Sequence, residues 1–240
     1  MTQRPANHLL RSLAQSDFDR LAPHLRGVEL PAGKVLYEPE DPVDTVWFPE
    51  TGAISVITVM ISGDTAETGM VGCEGAVGFT EASGGGVMYS RALVQAPGRF
   101  LRTPASAYRS AYEASATLRE AVQEHTELLL AEARQLVGCH ARHRVERRLA
   151  WLLLEAQDRI GGSEHLPLTQ TFLADMLAVQ RTTVTPIAVK LQEAGLIHYG
   201  RGSIEVVDRP GLERAACECY ATTRMFRRQI KARQRGLVPA

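Results

Sequence analysis

No glycine or proline interrupts the chain from Ala105 to Val137, directly after a stretch, Gly33 to Pro104, that both residues break repeatedly. That contrast constrains the fold more than any other feature. Glycine loosens the backbone and proline removes an N–H, so the first stretch allows only short runs and the second allows a long helix. The short runs are β-prone: Val35-Leu36-Tyr37, Val46-Trp47-Phe48, Ile54 to Ile61 and Ala92-Leu93-Val94. Gly52, Gly63-Asp64, Gly69, Gly72, Gly75, Gly78 and Gly84-Gly85-Gly86 separate them. Such spacing predicts an antiparallel roll or barrel. Leu9, Leu10, Leu13, Leu21 and Leu25 predict short amphipathic helices ahead of it.

Within the uninterrupted stretch, Leu118, Val122, His125, Leu129, Glu132, Leu136 and Cys139 recur at alternating steps of four and three. A stripe this narrow suits a partner helix, so Leu118, Val122, His125, Leu129 and Leu136 form the expected homodimer seam. Packing on the chain's own domain is the alternative. Val145, Leu149, Leu152, Leu153, Ala156 and Ile160 mark another helix, stopped by Gly161-Gly162. Arg224 to Arg235 holds six basic residues and no acid, and reads as a frayed helix or tail adding weak phosphate contacts.

The net charge of zero hides an asymmetry. Residues 1–140 carry 11 Lys/Arg and 17 Asp/Glu, and residues 141–240 carry 16 and 10, a net of −6 against +6. A basic half joined to an acidic one points to two units, the basic one meeting a polyanion. No apolar run is long enough to span a membrane and no secretory signal opens the chain. Four scattered cysteines, Cys73, Cys139, Cys217 and Cys219, make no disulfide framework, so a cytoplasmic location is expected.

Residues 166–207 are the most specific stretch. Thr169 is placed to cap a short helix, Gln170 to Leu177, with Phe172, Leu173, Met176 and Leu177 on its apolar side. Ala178-Val179-Gln180 makes a turn. A second helix then buries Val184, Ile187, Ala188 and Leu191, and Gly195 ends it. Arg181, Thr182, Thr185 and Lys190 are left facing out: a forked donor, hydroxyls and a cation with no carboxylate, suited to a DNA major groove. Gln170 and Gln180 flank this face and join it as candidate DNA contacts. Ile197 and Tyr199, then Gly200-Arg201-Gly202, then Ile204 and Val206, form a hairpin whose tip can lay Arg201 on a phosphate.

Along nearly its whole length the chain resembles the Crp/Fnr family of bacterial regulators. The resemblance is carried by Val46-Trp47-Phe48-Pro49 with Gly52, by Gly69 to Gly78, by Val145 to Leu154, by Leu166 to Val184 and by Gly195-Leu196-Ile197. It implies an α+β architecture in four parts. These are a double-stranded, jelly-roll-like β-roll of cyclic-nucleotide-binding type over residues 1–115, a dimerisation helix over 116–142, a winged helix-turn-helix over 143–216 and a basic tail over 217–240. It also implies a homodimer on a palindromic double-stranded DNA operator, with RNA polymerase as a candidate further partner. Arg181 and Thr182 then fall where the family reads base edges, Thr169 and Thr183 where it holds phosphates.

Two departures stand out. Pro186 falls where relatives often carry a base-reading arginine, and Ala178 replaces the glycine usual in the turn. Proline inside a helix costs ~3 kcal/mol, so a helix starting late, near Thr183, is expected. If position 178 needs a positive φ, alanine there costs roughly 1 kcal/mol.

Gly78, Phe79, Thr80, Ser90 and Arg91 are the candidate effector pocket. Aligned on the cyclic-AMP-binding members, Phe79 and Ser90 stand where a ribose-binding glutamate and a phosphate-binding arginine are needed. Arg91, one residue on, points to the opposite face. A cyclic nucleotide in the usual mode is therefore not expected, a changed mode being the alternative, and the effector is unassigned. No cofactor is expected. Cys139, His140 and His143 are read as solvated polar positions, since residues 139 and 140 lie ~100° apart on a helix. Cys217 and Cys219, two apart on an expected helix, should not face each other, so no metal site is expected. Cys73 is read as an inert thiol. A cupin-like enzyme would need histidines inside the roll, and none occurs between His24 and His125.

Overall fold

The computed structural model describes residues 4–200 and 202–234. Two short helices, α1 (His8–Ser12) and α2 (Gln15–Leu21), place Leu9, Leu10, Phe18 and Leu21 under the roll. Seven strands follow: β1 (Arg26–Leu30), β2 (Val35–Tyr37), β3 (Thr45–Pro49), β4 (Ala53–Val59), β5 (Thr65–Val71), β6 (Arg91–Ala96) and β7 (Gly98–Pro104). Between β5 and β6 lies α3 (Phe79–Gly84). All pairings are antiparallel, in two sheets ordered β1-β7-β3 and β2-β6-β4-β5. Phe48, Ile54, Phe100 and Tyr108 are fully buried between and beside these sheets.

After β7 come α4 (Ala105–Ala114) and α5 (Ala116–Arg142). Ser115 divides them: its backbone is extended and its hydroxyl accepts from the Leu118 N–H, capping α5. Leu118, Ala121, Val122, His125 and Leu128 of α5 are buried, most of them in the roll's own core. The second unit opens with α6 (Val145–Arg159), then β8 (His165–Leu166), α7 (Gln170–Leu177), α8 (Arg181–Glu193), β9 (Ile197–Gly200) and β10 (Ser203–Val206). The three strands form one sheet ordered β8-β10-β9. Two helices close the chain: α9 (Arg209–Ala215), which the sequence pattern does not mark, and α10 (Cys219–Gln234).

As far as Gln234 the basic C-terminal segment is thus a packed helix, neither frayed nor a tail. Helix α10 packs along α5, with Arg227 bonded to Glu132 and Glu155, and Arg233 3.0 Å from Glu127. Arg159, Arg209, Arg224 and Arg227 all pair with carboxylates, so much of the positive charge in residues 141–240 is spent inside the fold. The two units share an apolar interface in which Ala53, Met70 and Ala96 of the roll meet the core of the C-terminal unit. Arg159, at the end of α6 and only 5% exposed, bonds Glu74 of the roll and Glu132 of α5. No described helix is long and apolar enough to cross a membrane.

Candidate nucleic-acid interface

Helix α7 is capped as expected: the Thr169 hydroxyl accepts from the Phe172 N–H at 3.2 Å. Its far end turns on Ala178, whose φ of 51° and ψ of 50° lie in the left-handed region. The Val179 N–H returns to the Ala174 carbonyl, satisfying one of the last free acceptors of the helix. Gln180 then leads into α8, which Val184, Ile187, Ala188 and Leu191 anchor in the core.

Helix α8 does not start late. Its first turn closes at Arg181, with the Gln180 carbonyl accepting from Thr183, and Pro186 lies inside it. The Thr182 carbonyl therefore receives no N–H from the residue four ahead. Packing of the four buried side chains outweighs that local loss. Arg181, Thr182, Pro186, Val189 and Lys190 are exposed, with Thr183 and Thr185 half-buried. Thr169 and Gln180 are exposed beside this face and Gln170 is half-buried. Val189, 38% exposed on the same face, escaped the sequence pattern because periodicity marks the buried stripe and leaves outer apolar residues unread. With Pro186 it supplies the apolar surface that suits a thymine methyl. In the wing, the Tyr199 N–H donates to Gln192 Oε1 at 2.8 Å, fixing β9 on α8. Arg201 lies outside the described residues.

This face does not stand clear of the roll. Gly63, Asp64 and Thr65 of the β4–β5 hairpin line one cleft together with Ala174, Asp175, Ala178, Gln180 and Arg181. Helix α7 packs on β5, and Gln95 of β6 reaches the Met176 sulfur at 4.0 Å. Behind Gln95, the Ser55 hydroxyl lies 2.8 Å from Gln95 Oε1 and 2.7 Å from Glu67 Oε2. Burial pushes Glu67 up to about 8, so its protonated carboxyl can donate to Ser55, which donates on to Gln95.

The expected effector residues are largely occupied by the fold. Phe79 is 3% exposed and fills the roll's core, its ring 5.2 Å from that of His125. Gly78, at φ 80°, lies so close to the Thr45 carbonyl that a Cβ would stand 2.9 Å from it. Thr80 is exposed, Ser90 is half-buried, and Arg91 pairs with Glu38 at 2.8 Å on the outside. His125 of α5 does enter the roll, although the roll's own strands between His24 and His125 carry no histidine. Burial, against the pull of Glu74, pushes it down to about 4, a neutral core residue packed on Gly75.

Most residues of the expected dimer seam are covered by the protomer's own fold. Leu118, Val122 and His125 face the protomer's own roll, because α5 packs down on it, and Leu129 and Leu136 are half-buried. Leu130 and Val137, 49% and 72% exposed, form the free apolar line of α5 one residue over.

The cysteines depart furthest from the expectation drawn from their spacing. Cys217 is not helical: α9 ends at Ala215 and α10 starts at Cys219, so the pair straddles a turn and both sulfurs point inward. Cys139, one helical turn before His143, joins them. The sulfurs of Cys139, Cys217 and Cys219 and a His143 nitrogen all lie within 4.8 Å of one another. The missed signal was the Cys139–His143 spacing of four, which shares a helix face, rather than the 139–140 pair. Cys73 stands apart, half-buried 3.9 Å from His8, and burial and Glu74 push its thiol up, away from reactivity.

Residues 147–215 match the model of the Crp-like helix-turn-helix domain. Among solved structures, FixK2 from Bradyrhizobium japonicum is 17% identical, with a TM-score of 0.69 over 80% of this chain and 98% of its own. A Crp/Fnr-family transcriptional regulator from Eubacterium rectale is 17% identical, with a TM-score of 0.68 over 86% and 96%. TTHA1359, a Crp/Fnr-family transcriptional regulator from Thermus thermophilus, is 26% identical, with a TM-score of 0.65 over 80% and 98%. No curated protein sequence matches the chain at comparable stringency.

Proposed function

We propose that this chain, a member of the Crp/Fnr family of transcription regulators, binds a two-fold symmetric DNA operator in the cytoplasm as a homodimer. The observation that carries the reading is the outer face of α8. Arg181, Thr182, Thr185, Val189 and Lys190 project from a helix whose opposite side is locked by Val184, Ile187, Ala188 and Leu191. A forked cation, hydroxyls and a methyl-bearing side chain on one rigid face can read guanine, adenine and thymine edges. Thr169, at a helix N-terminus, suits a phosphate. Leu130 and Val137 of α5 are the apolar line on which a second copy would pair. Such a dimer puts half-sites about one helical turn, ~34 Å, apart.

The effector is read as something other than a cyclic nucleotide held in the usual mode. Phe79 fills the place of the ribose acceptor, and Arg91 is bound outward to Glu38. RNA polymerase remains a candidate partner of the DNA-bound dimer. Selection from random duplexes tests the reading: enrichment of a palindrome with that spacing supports it, and enrichment of asymmetric sites or none overturns it.

A further inference from the structure

We propose that Cys139, His143, Cys217 and Cys219 hold one zinc ion, a Cys3His site that clips the end of α5 to the start of α10. The four ligand atoms come from two segments far apart in the chain. Cys139 sits in the last turn of α5 and His143 caps that helix, while Cys217 and Cys219 flank the turn between α9 and α10. Their mutual distances suit one tetrahedral ion. With Zn–S of ~2.3 Å and Zn–N of ~2.0–2.1 Å, tetrahedral ligands stand ~3.8 Å apart for two sulfurs and ~3.5 Å for sulfur and nitrogen. The Cys139 and Cys217 sulfurs are 3.6 Å apart, and the Cys219 sulfur is 3.5 Å from His143 Nδ1. A disulfide would need ~2.05 Å, so the Cys139–Cys217 contact is not one. Ligands shared among several irons must spread further than the 4.8 Å that bounds this set.

The surroundings are arranged as a metal site requires. The three cysteines are buried, at 1%, 3% and 0% exposure. His143 turns Nδ1 toward Cys219 and places Nε2 3.2 Å from the Glu218 carboxylate. A carboxylate on the outer nitrogen fixes the tautomer that leaves the inner one free to ligate. The Gln135 amide nitrogen stands 3.1 Å from the Cys219 sulfur, where it can donate to a thiolate. Three thiolates and one Zn2+ leave one negative charge, and the Arg148 guanidinium is buried beside Cys139 and Cys217. The same Arg148 donates from Nη2 to the Leu177 carbonyl at the end of α7, at 2.6 Å. The clip is therefore one side chain away from the turn that aims α8. Thiolate-rich tetrahedral sets select zinc over magnesium or calcium.

The test uses the full-length protein purified under reducing, anaerobic conditions, with zinc measured by mass spectrometry. One zinc per chain is expected, Co2+ replacement should give the intense bands of tetrahedral cobalt thiolate, and a strong chelator should lower Tm. Cys139→Ser and Cys217→Ser should lose the metal. Glu218→Gln, at an exposed position harmless to folding, should keep it but weaken affinity ~10–100-fold. The proposal is overturned by a chain that binds neither zinc nor cobalt, by undiminished metal in the cysteine variants, or by iron in place of zinc. A native Cys139–Cys217 disulfide in the reduced preparation would overturn it too. None of these readouts depends on DNA binding.

Discussion

Arg159→Met removes the guanidinium that ties α6 to the roll while keeping the bulk of the side chain. Arg159 is 5% exposed and bonded to Glu74 and Glu132, with Glu155 3.8 Å away. Arg227 continues to serve Glu132 and Glu155. Glu74, by contrast, pairs with no other cation among the described residues and keeps the Gly72 N–H at 2.8 Å. Breaking one side of a buried ion pair costs ~3–5 kcal/mol, and the cations that remain argue for ~3 kcal/mol. An unfolding entropy of ~2.1 cal/mol/K per residue gives ~0.5 kcal/mol/K for a chain of this length, hence a Tm lower by ~6 °C in calorimetry. Burial pushes Glu74 up while Arg159 and Gly72 hold it below its ordinary value. Without Arg159 its folded-state pKa rises above the unfolded one, so the deficit should shrink as pH falls from 7 to 5. Glu74→Gln in the same chain should recover most of the loss. A drop under ~2 °C, or no recovery in the double variant, would refute the view that this arginine neutralises a buried carboxylate.

Glu67, held protonated by burial at about 8, binds a proton that the unfolded chain releases near 4.5. Stability should therefore decline as pH rises through that interval, and Glu67→Gln should flatten the decline in pH-dependent chemical denaturation. Ala178→Gly relieves ~1–2 kcal/mol of left-handed strain at φ 51° but adds ~0.4–1 kcal/mol of unfolded-state entropy. A small gain in Tm is expected, and a clear loss would contradict the strain. Leu130→Glu should yield monomers in sedimentation, whereas Leu118→Ala should destabilise the roll without changing oligomeric state. The opposite pattern would return the seam to the buried stripe.

How much of this was legible in the sequence depends on whether a signal was local. Thr169, the Ala178 turn and the buried set of α8 follow from caps and periodicity over a dozen residues, and the structure has them where the pattern puts them. Periodicity names a stripe without saying what covers it, so Leu118, Val122 and His125 read as a seam while the roll was already their partner. Net charge singles out the basic half but not where its cations lie, for the same reason. Arg227 and Arg233 count as basic tail in one dimension, but α10 lies against Glu132, Glu155 and Glu127 in three. The cysteine cluster needed contacts between residues 139 and 217, which no spacing rule supplies, although Cys139 and His143 one turn apart were a half-signal. Pro186 misled because a local penalty was allowed to set the helix start, where four buried side chains decide it.

The most direct test of the central claim is competition binding of Arg181→Ala against a panel of duplexes that varies each position of the selected operator. If α8 reads base edges, the loss of the Arg181 fork should relax preference at one base pair per half-site, by ~1–3 kcal/mol, and leave the other positions unchanged. A uniform drop in affinity across all duplexes, with the preference intact, would mean that Arg181 holds a phosphate and that the outer face of α8 does not read sequence through it.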